Sequence, residues 1–406
     1  MSRLFADVVV TGMGAVTPLG PDFPSTWEAL IAGREGAAPL ALFDNDGCRA
    51  HQAAVCGLPA LENMPRWKRN NLPRVSRLAL PAAQEAMAQA GLLDEGRHSV
   101  LPRLALSLST TGGGMTQGEL FLRAALAGQA ASRFPGLNRY QPQRQVVDLQ
   151  GYLGIAGRSL VVANACASGA NALGHAAEWI WSGQESCVLA GGFEALTELI
   201  YCGFDCLQAL TQEKCRPFDQ RRSGLLLGEA AAFLVLEAEA HARARGARIL
   251  CRLTGYGQAT DLHHLTQPSP VGQALITALG QATGQAGLAP AALGYVNAHG
   301  TATPTNDGAE AAALQAFFGS AFSEVKVSST KAAIGHTLGA AGAVEALFAI
   351  QTLRTGQPPP QLNSESPEPV IAEQLVKKGD RLKEGRAVAS VNLGFGGSNA
   401  ALIFEA

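Results

Sequence analysis

The chain has 406 residues, with 31 Lys and Arg against 33 Asp and Glu, so its formal net charge is 31 − 33 = −2. Because 47% of the residues are hydrophobic and only 16% are charged, the composition excludes an intrinsically disordered chain. The near-neutral balance also excludes the strong basic excess that is typical of nucleic-acid binding. The length allows two or three domains, or one large fold with a substantial core.

The beginning of the chain is apolar and carries one early arginine, a pattern that could be mistaken for a signal peptide. Asp7 interrupts the apolar run, so DVVVTGMG (7–14) is predicted to be a buried strand that ends in a glycine turn. No run of 18 or more uncharged apolar residues occurs in the sequence, so we expect no membrane helix and a cytoplasmic protein.

The eight cysteines form no CxxC pair, which predicts reduced thiols rather than a disulfide framework. Cys202 and Cys206 lie four residues apart, but no neighbouring His or Cys completes a tetrahedral metal site. We therefore expect most of these side chains to be small core residues.

Short β-branched runs alternate with Ala-rich stretches of helical period along the chain. Nine runs are predicted to be buried strands, namely 7–14, 103–110, 159–165, 186–192, 230–237, 249–257, 294–300, 325–331 and 387–394. Four stretches are predicted to be helices that finish on a glycine cap, namely 76–91, 170–183, 272–287 and 339–356. This alternation indicates an α/β fold with buried sheets.

Two segments share one plan, which indicates an internal duplication. Residues 161–184 and 325–357 each contain a strand, a turn of small residues, an Ala/Gly-rich helix and a terminal Gly-Gln. Each is followed by another strand with a glycine cluster. Because small residues let a helix pack closely against neighbouring backbone, we expect both helices to be buried centrally with their starts close together. The predicted halves are residues 1–248 and 249–406.

A cysteine and a histidine occupy positions that suit catalysis. Cys166, in NACASGAN, follows a predicted strand and begins a helix, where the helix dipole is expected to lower the thiol pKa. His299, in NAHGTATPTND, ends a strand-like run and enters a loop, so its side chain can point into a cleft. A packed core cysteine and a structural histidine are the alternatives.

Polar residues also interrupt an apolar segment further along. Lys331, His336 and Glu345 lie in SSTKAAIGHTLGAAGAVEA, and burial of unpaired Lys and Glu is costly, so we expect an internal polar network. The alternative is an exposed Lys and a helix-surface Glu. Phe395 lies among the glycines of GFGGSN, where a core Phe in a β-turn is the alternative. This cluster matches neither glycine-rich nucleotide-binding pattern.

Together these motifs resemble those of the elongating β-ketoacyl-acyl carrier protein synthases, which are condensing enzymes of the thiolase superfamily. The resemblance runs over nearly the full length, through VVVTGMGAVTPLG, NACASG, RPFDQRRSGLLLGEAA, NAHGTATPTND, KAAIGHTLGAAG and NLGFGGSN. It implies a thiolase-like α/β fold of duplicated α-β-α-β-α layers, with buried central helices and two mixed sheets.

The resemblance also implies the parts of a site. The catalytic residues would be Cys166, His299, His336 and Lys331, with no cofactor and no metal. The residues around them would be Cys166 and Phe395 for an oxyanion hole and gate, Glu345 and Asp307 as support, and Gly112 and Phe204 in the acyl pocket. The family usually has other residues at three nearby positions, where this chain has Ser223, Ala230 and Ala332.

The reaction implied is decarboxylative condensation of a malonyl carrier thioester with an acyl group held on Cys166, in fatty-acid, aryl-polyene or type II polyketide elongation. The implied partners are an acidic acyl carrier protein with a phosphopantetheine arm and a second subunit, identical or synthase-like. The docking candidates are Arg66, Lys68 and Arg69, followed by Arg74 and Arg77, with Lys214 as a weaker second. A solvated helix face would explain the same basic residues.

Three other functions are compatible with parts of the sequence. A non-catalytic subunit that sets chain length in a ketosynthase heterodimer would lack the nucleophile, whereas Cys166 is present. A serine hydrolase would explain the SxxK motif at 328–331, but its companion KTG and SDN motifs are missing. A biosynthetic thiolase would need a second catalytic Cys where Ser398 and Asn399 stand.

Overall fold

The computed structural model describes residues 6–61, 64–129, 135–383 and 385–406, and most of these residues belong to strands and helices. The strands are β1 (Val8–Val16), β2 (Ala37–Pro39), β3 (Gln52–Ala54), β4 (Ala105–Ser109), β5 (Ser159–Val162), β6 (Cys187–Glu194), β7 (Ala230–Ala238), β8 (Cys251–Thr260), β9 (Leu293–Asn297), β10 (Lys326–Ser328), β11 (Ala387–Leu393) and β12 (Ser398–Glu405). The helices are α1 (Phe23–Ile31), α2 (Arg66–Asn70), α3 (Arg74–Gln89), α4 (Met115–Leu126), α5 (Gln143–Leu153), α6 (Ser168–Trp181), α7 (Glu198–Cys206), α8 (Glu239–Ala244), α9 (Gln273–Ala286), α10 (Asn306–Phe318), α11 (Lys331–Ile334) and α12 (Ala341–Thr355).

The main sheet consists of two five-stranded units with the same topology. The first has the order β5-β4-β6-β7-β1 and the second has the order β10-β9-β11-β12-β8. In each unit the last three strands pair antiparallel and the first three pair parallel. The two mixed sheets are therefore confirmed, with one addition. A short antiparallel contact between β1 and β8 joins them into a continuous sheet of ten strands.

Three apolar clusters show how the layers pack. The central cluster combines α6 and α12 with the inner faces of both five-stranded units. One outer cluster packs α3 and α5 on the first unit, and the other packs α9 and α10 on the second. The order of layers is thus helix, sheet, helix, sheet, helix, which confirms the predicted architecture. We keep residues 1–248 and 249–406 as the proposed halves, because β8 begins the second unit.

The nine predicted strands and four predicted helices all occur, with ends that differ by a few residues. The helices predicted to stop at glycine do so for the expected reason. The glycine after each has a positive φ, which lets the chain leave the helix in the left-handed conformation, at Gly91, Gly183, Gly287 and Gly356. Among the described residues, no helix is long and apolar enough to cross a bilayer.

The two central helices begin in turns that are copies of each other. A 3-10 turn at 165–167 precedes α6 and another at 338–340 precedes α12, and both turns start on a residue with positive φ, Ala165 at 58° and Leu338 at 48°. Gly339 therefore occupies in the second half the place that Cys166 has in the first. In the second half, a longer segment that contains α11 lies between β10 and the turn at 338–340. This segment carries Lys331, in α11, and His336, which follows α11.

The starts of α6 and α12 cross at two glycines. A Cβ added to Gly342 would lie 2.2 Å from the backbone nitrogen of Ala170, and one added to Gly169 would lie 2.6 Å from that of Ala343. A larger residue at either position would push the two helices apart. The crossing therefore confirms that small residues bring the starts of α6 and α12 together.

We expect Gly342→Ala to lower the free energy of unfolding by about 1–3 kcal/mol, because the added methyl overpacks the crossing. The matched control is Gly280→Ala in α9, where an added Cβ would meet nothing within 4 Å and where alanine favours the helix. Denaturant unfolding of both variants checks this prediction. Equal stability of the two variants would contradict it.

Candidate active site

Cys166 lies in the turn between β5 and α6, and its side chain faces the two predicted histidines. Its Sγ atom is 2.9 Å from Nε2 of His336. The ring centroids of His299 and His336 are 5.3 Å apart at an interplanar angle of 86°. Cys166 is 5% exposed and both histidines are buried. The structure therefore brings together one sulfur and two imidazoles from opposite halves of the chain.

The pKa of the Cys166 thiol is raised, so the prediction of a lowered thiol pKa is wrong. Burial raises this pKa to about 11, which outweighs the nearby Lys331 ammonium and two backbone N–H groups, those of Phe395 and of Cys166 itself. Desolvation favours the neutral thiol more strongly than these groups favour the thiolate. At neutral pH the thiol therefore needs a proton acceptor, and Nε2 of His336 lies closest.

The backbone around His299 is fixed by a buried carboxylate that sequence reasoning missed. Glu310, on α10, accepts hydrogen bonds from the N–H groups of His299 and Gly300, both at 2.7 Å. Burial raises the pKa of Glu310 to about 7. The signal was available in the sequence, because Asp307 and Glu310 are three residues apart in one helix and share a face.

Asp307 stabilises the loop that follows His299. Its carboxylate accepts hydrogen bonds from the N–H of Phe218 at 2.7 Å and from the N–H of Ala302 at 3.1 Å. Ala302 has a φ of 65°, so this loop holds a backbone conformation that is costly for alanine. Asp307 therefore holds the backbone of this loop, and its role as a supporting residue of the site stays a prediction.

Lys331 connects His299 to a buried carboxylate. Its ammonium donates to Oε1 of Glu345 and to the backbone oxygen of His299, and it lies 3.4 Å from Nδ1 of the same histidine. Glu345 in turn accepts from the side-chain amide of Asn392 at 2.6 Å. Lys331 and Glu345 are each 1% exposed. The buried polar network is present, and the exposed alternative is excluded.

The two histidines differ in how their protons are held. An ammonium group can only donate, so Nδ1 of His299 accepts from Lys331 and the ring proton lies on Nε2. Burial, Lys331 and His336 together hold the pKa of His299 well below 6.5, so the ring is neutral at pH 7. Burial and Lys331 do the same for His336. Nδ1 of His336 has no hydrogen-bond partner among the described residues, so nothing there fixes its tautomer.

A cavity opens onto the sulfur and the two imidazoles. Phe395, in the glycine turn after β11, stacks on Phe204 of α7 with ring centroids 5.6 Å apart, and both rings line the cavity. The next two residues, Gly396 and Gly397, have φ values of 80° and 83°, which only glycine adopts easily. The aromatic pair therefore forms one wall of the entrance to Cys166.

Other predicted site residues lie away from this cavity. Gly112 is not among the residues that line it. A Cβ on Gly112 would lie 2.9 Å from Cδ1 of Ile200, which already occupies that space. The three departures from the family pattern are also outside the cavity lining. Ser223 bonds to the Thr211 hydroxyl at 2.8 Å, while Ala230 and Ala332 are buried.

The basic cluster divides into two kinds of residue. Arg66 is exposed on α2 and Arg69 is half-buried, whereas the side chain of Lys68 lies outside what the structure describes. Arg74 instead binds Glu229 through two nitrogens at 2.7 and 2.6 Å, so it is a structural residue and not a docking candidate. Its position at the start of α3 turns its side chain into the protein.

The sulfur and the two imidazoles could also be considered as metal ligands. One donor atom from each of the three residues lies within 4.8 Å of the others, and three protein donors are the number that a catalytic zinc site uses. The Lys331 ammonium beside His299 opposes a second positive charge at this position. The arrangement is better suited to nucleophilic attack by sulfur with two imidazole groups as proton donors or acceptors.

Because the thiol pKa is near 11, alkylation of Cys166 should accelerate by about tenfold for each pH unit between 7 and 10. The thiolate fraction rises with pH throughout this range. Iodoacetamide labelling, followed by mass spectrometry of the peptide that contains Cys166, measures the rate, and Cys166→Ala identifies the adduct. A rate that stops rising at or below pH 8 would contradict the raised pKa.

Comparisons with known proteins agree with this geometry. The model of the β-ketoacyl synthase N-terminal domain matches residues 6–242, and that of the C-terminal domain matches residues 250–365. The chain is 34% identical over 412 aligned positions to 3-oxoacyl-[acyl-carrier-protein] synthase 2 of Vibrio cholerae, covering 98% of each chain.

Solved structures show the same similarity. A β-ketoacyl synthase from Burkholderia phymatum is 33% identical, with a TM-score of 0.90 over 98% of this chain and 99% of that one. The ishigamide ketosynthase/chain length factor is 30% identical, with a TM-score of 0.89 over 99% of each chain. Fold, site and sequence agree, and the chain belongs to the β-ketoacyl synthase family.

Proposed function

We propose that this protein is a 3-oxoacyl-acyl carrier protein synthase, which joins an acyl group held as a thioester on Cys166 to the two-carbon unit of a malonyl carrier thioester. The observation that carries this proposal is the convergence of the Cys166 sulfur with His299 and His336 in one buried cavity. A chain-length subunit without catalysis is disfavoured, because the nucleophile and both histidines are in place. A thiolase is disfavoured by Asn399, which lines the cavity where a second cysteine would be needed.

The first half-reaction loads the acyl chain. The thiol proton passes to Nε2 of His336 at 2.9 Å as the sulfur attacks the carbonyl carbon of the acyl carrier thioester. The N–H groups of Cys166 and Phe395 both contact the sulfur, so they are placed to donate to the oxygen of the tetrahedral intermediate. The intermediate collapses, and the carrier thiol leaves with the proton from His336.

The second half-reaction forms the carbon–carbon bond. The malonyl thioester loses CO₂, and the electron pair of the broken bond becomes an enolate whose charge lies on the thioester oxygen. Nε2–H of His299, with its tautomer fixed by Lys331, donates to that oxygen. His336 supplies a second donor when its ring proton lies on Nε2, a tautomer that no partner of Nδ1 among the described residues opposes. The enolate carbon then attacks the acyl carbonyl on Cys166. The sulfur departs as thiolate, leaving the 3-ketoacyl product on the carrier.

A panel of acyl carrier proteins tests the proposal and selects the pathway. The enzyme is incubated with malonyl carrier protein and with acyl carrier proteins that differ in chain length and unsaturation, and the products are identified by mass spectrometry. Extension by two carbons with release of one CO₂ is the expected result. If no member of the panel is extended although malonyl carrier protein is bound, the proposed function is wrong.

We also propose that the acidic carrier protein docks on α2. Arg66 and Arg69 remain as candidates beside Trp67, which is 71% exposed, and Lys68 belongs to the same segment. Arg66→Glu with Arg69→Glu should raise the KM for acyl carrier protein severalfold, because charge reversal opposes an acidic partner. The kcat/KM for an acyl-pantetheine thioester, which lacks the carrier, should stay unchanged. A similar loss with both substrates would contradict docking at α2.

A second synthase-like subunit is proposed to cover α4. This helix has no buried residue, and it exposes Leu120, Leu122 and Leu126, while Leu199 at the start of α7 is also exposed. The printed name of one structural neighbour pairs a ketosynthase with a chain length factor. Native mass spectrometry with the chain alone separates a homodimer, at twice 42.1 kDa, from a chain that awaits a different subunit.

We further propose that the protein acts in the cytoplasm, which suits its eight free cysteines.

The acyl pocket stays a proposal for Gly112 and Phe204. Phe204 lines the cavity, whereas Gly112 does not, and Ile200 occupies the space beside Gly112. A chain that displaced Ile200 would gain the space beside Gly112. The carrier panel measures how long or how stiff a chain this arrangement accepts.

A further inference from the structure

Two cysteines outside the active site lie close enough to react with each other. The Sγ atoms of Cys48 and Cys202 are 3.6 Å apart, and both side chains are half-buried. Cys48 lies in the segment before β3, and Cys202 lies on α7. We propose that Cys48 and Cys202 form a reversible disulfide when the protein meets a hydroperoxide, and that this bond restrains α7.

The backbone on both sides of the pair is already held in register. Asp205, on α7, accepts hydrogen bonds from the N–H groups of Arg49 at 2.9 Å and Ala50 at 3.1 Å. The Tyr201 hydroxyl, on the same helix, donates to the backbone oxygen of Gln52 at 3.1 Å. A disulfide has an S–S length of about 2.05 Å, so the sulfurs need to approach by only about 1.5 Å. Side-chain rotation can supply such a movement while these hydrogen bonds remain.

The oxidation balances with the hydroperoxide as the oxidant. The sulfur of Cys202 attacks the O–O bond, which gives a sulfenic acid on Cys202 and releases an alcohol, or water when the oxidant is hydrogen peroxide. The sulfur of Cys48 then attacks that sulfenyl sulfur. The S–S bond forms, the S–O bond breaks, and water leaves with the proton of Cys48. Burial raises the pKa of Cys48 to about 11, so this thiol is protonated at neutral pH and gives up its proton as it attacks.

Helix α7 connects the cysteine pair to the cavity wall. One face, with Tyr201, Cys202 and Asp205, contacts the segment that carries Cys48. Phe204, which directly precedes Asp205, lines the cavity and stacks on Phe395. A covalent bond on the first face therefore limits how far the second face can move when a chain enters. This consequence, unlike the bond itself, rests on the proposed function.

Mass spectrometry tests the bond without reference to activity. The Cys166→Ala protein is treated with hydrogen peroxide, alkylated and cleaved after Glu and Arg. The expected product joins residues 36–49 to residues 199–213 with a loss of about 2 Da, and a dithiol reductant separates them. Cys48→Ser and Cys202→Ser should abolish this product, while Cys206→Ser, one helical turn away and exposed, should retain it. A product that survives Cys202→Ser but is lost in Cys206→Ser overturns the assignment, as does recovery of both peptides unlinked.

A second measurement tests the restraint on α7. Peroxide-treated wild type and Cys48→Ser are compared for acyl loading of Cys166 with the longest chain that the reduced enzyme accepts. Direct oxidation of Cys166 affects both proteins equally, so we expect an additional loss in the wild type that a dithiol reductant reverses. Equal losses would overturn transmission to the cavity wall. If neither reduced protein is acylated, the proposed function fails, and the mass result for the disulfide stands independently.

Discussion

Replacement of Cys166 by alanine should abolish acyl loading and reduce chain elongation by at least about 10⁴-fold, because the attacking sulfur is removed. Release of CO₂ from malonyl carrier protein should continue, because that step uses the N–H donors of His299 and His336. Mass spectrometry of the intact enzyme after incubation with acyl carrier protein measures loading. Trapping of labelled CO₂ measures decarboxylation.

The matched control is Cys251→Ala, in β8, which removes a buried sulfur that does not line the cavity. This control should load acyl groups as the wild type does. Elongation by Cys166→Ala would contradict the assignment of the nucleophile. Loss of both loading and decarboxylation, with the fold retained, would contradict the division of labour between the sulfur and the two imidazoles.

Replacement of Glu345 by alanine should lower the free energy of unfolding by about 3–5 kcal/mol, because it leaves the Lys331 ammonium buried without its carboxylate. Burial raises the pKa of Glu345, and the contacts with Lys331 and Asn392 oppose this effect. The pair therefore carries a desolvation cost that its mutual contact and the hydrogen bonds with Asn392 and the His299 backbone oxygen offset. Urea unfolding at neutral pH measures the loss.

The double variant Lys331→Met with Glu345→Met separates stability from catalysis. Apolar replacement of a buried ion pair is often neutral or stabilising, so we expect the double variant to recover most of the stability lost in Glu345→Ala. The double variant should nevertheless decarboxylate malonyl carrier protein about 10²-fold more slowly than the wild type, because the tautomer of His299 is no longer fixed. Recovery of both stability and decarboxylation would contradict a positioning role for Lys331.

The pH profile of the double variant gives a further readout. Burial is the larger cause of the lowered pKa of His299, and the Lys331 ammonium lowers this pKa further. Removal of the ammonium therefore raises the pKa of His299 towards 6.5. Catalysis needs the neutral imidazole, so the acidic limb of the decarboxylation profile should move to higher pH. A merely structural Lys331 would leave this limb in place.

Periodicity and glycine caps were sufficient to predict the layers, because both signals are local. The nine predicted strands are central apolar runs, and the four predicted helices end at glycines with positive φ. β12 was missed because GFGGSN interrupts the sequence, although AALIF after it is an apolar run that suits a buried strand. The helices α4 and α7 were also missed, since neither carries a stripe of buried apolar residues.

The site could be predicted only in part for a different reason. The resemblance of the local motifs to those of the β-ketoacyl synthases pointed to Cys166, His299, His336 and Lys331, but distances between residues 170 positions apart depend on the fold. The pKa of the Cys166 thiol could not be predicted from local sequence. The start of the helix lowers this pKa, but burial, which depends on the whole molecule, raises it by more. Glu310 was overlooked because its role is to bind backbone N–H groups, and its spacing from Asp307 indicates a shared helix face but not those contacts.

The crossing at Gly169 and Gly342 limits how such a protein can evolve. The sulfur belongs to one half and both imidazoles belong to the other, so any change in the angle between the helices would alter the distance between them. Adaptation to new acyl chains is therefore easiest at peripheral elements such as α7, which border the cavity without setting that distance. Divergence in substrate range can then accumulate while the geometry of bond formation is inherited unchanged.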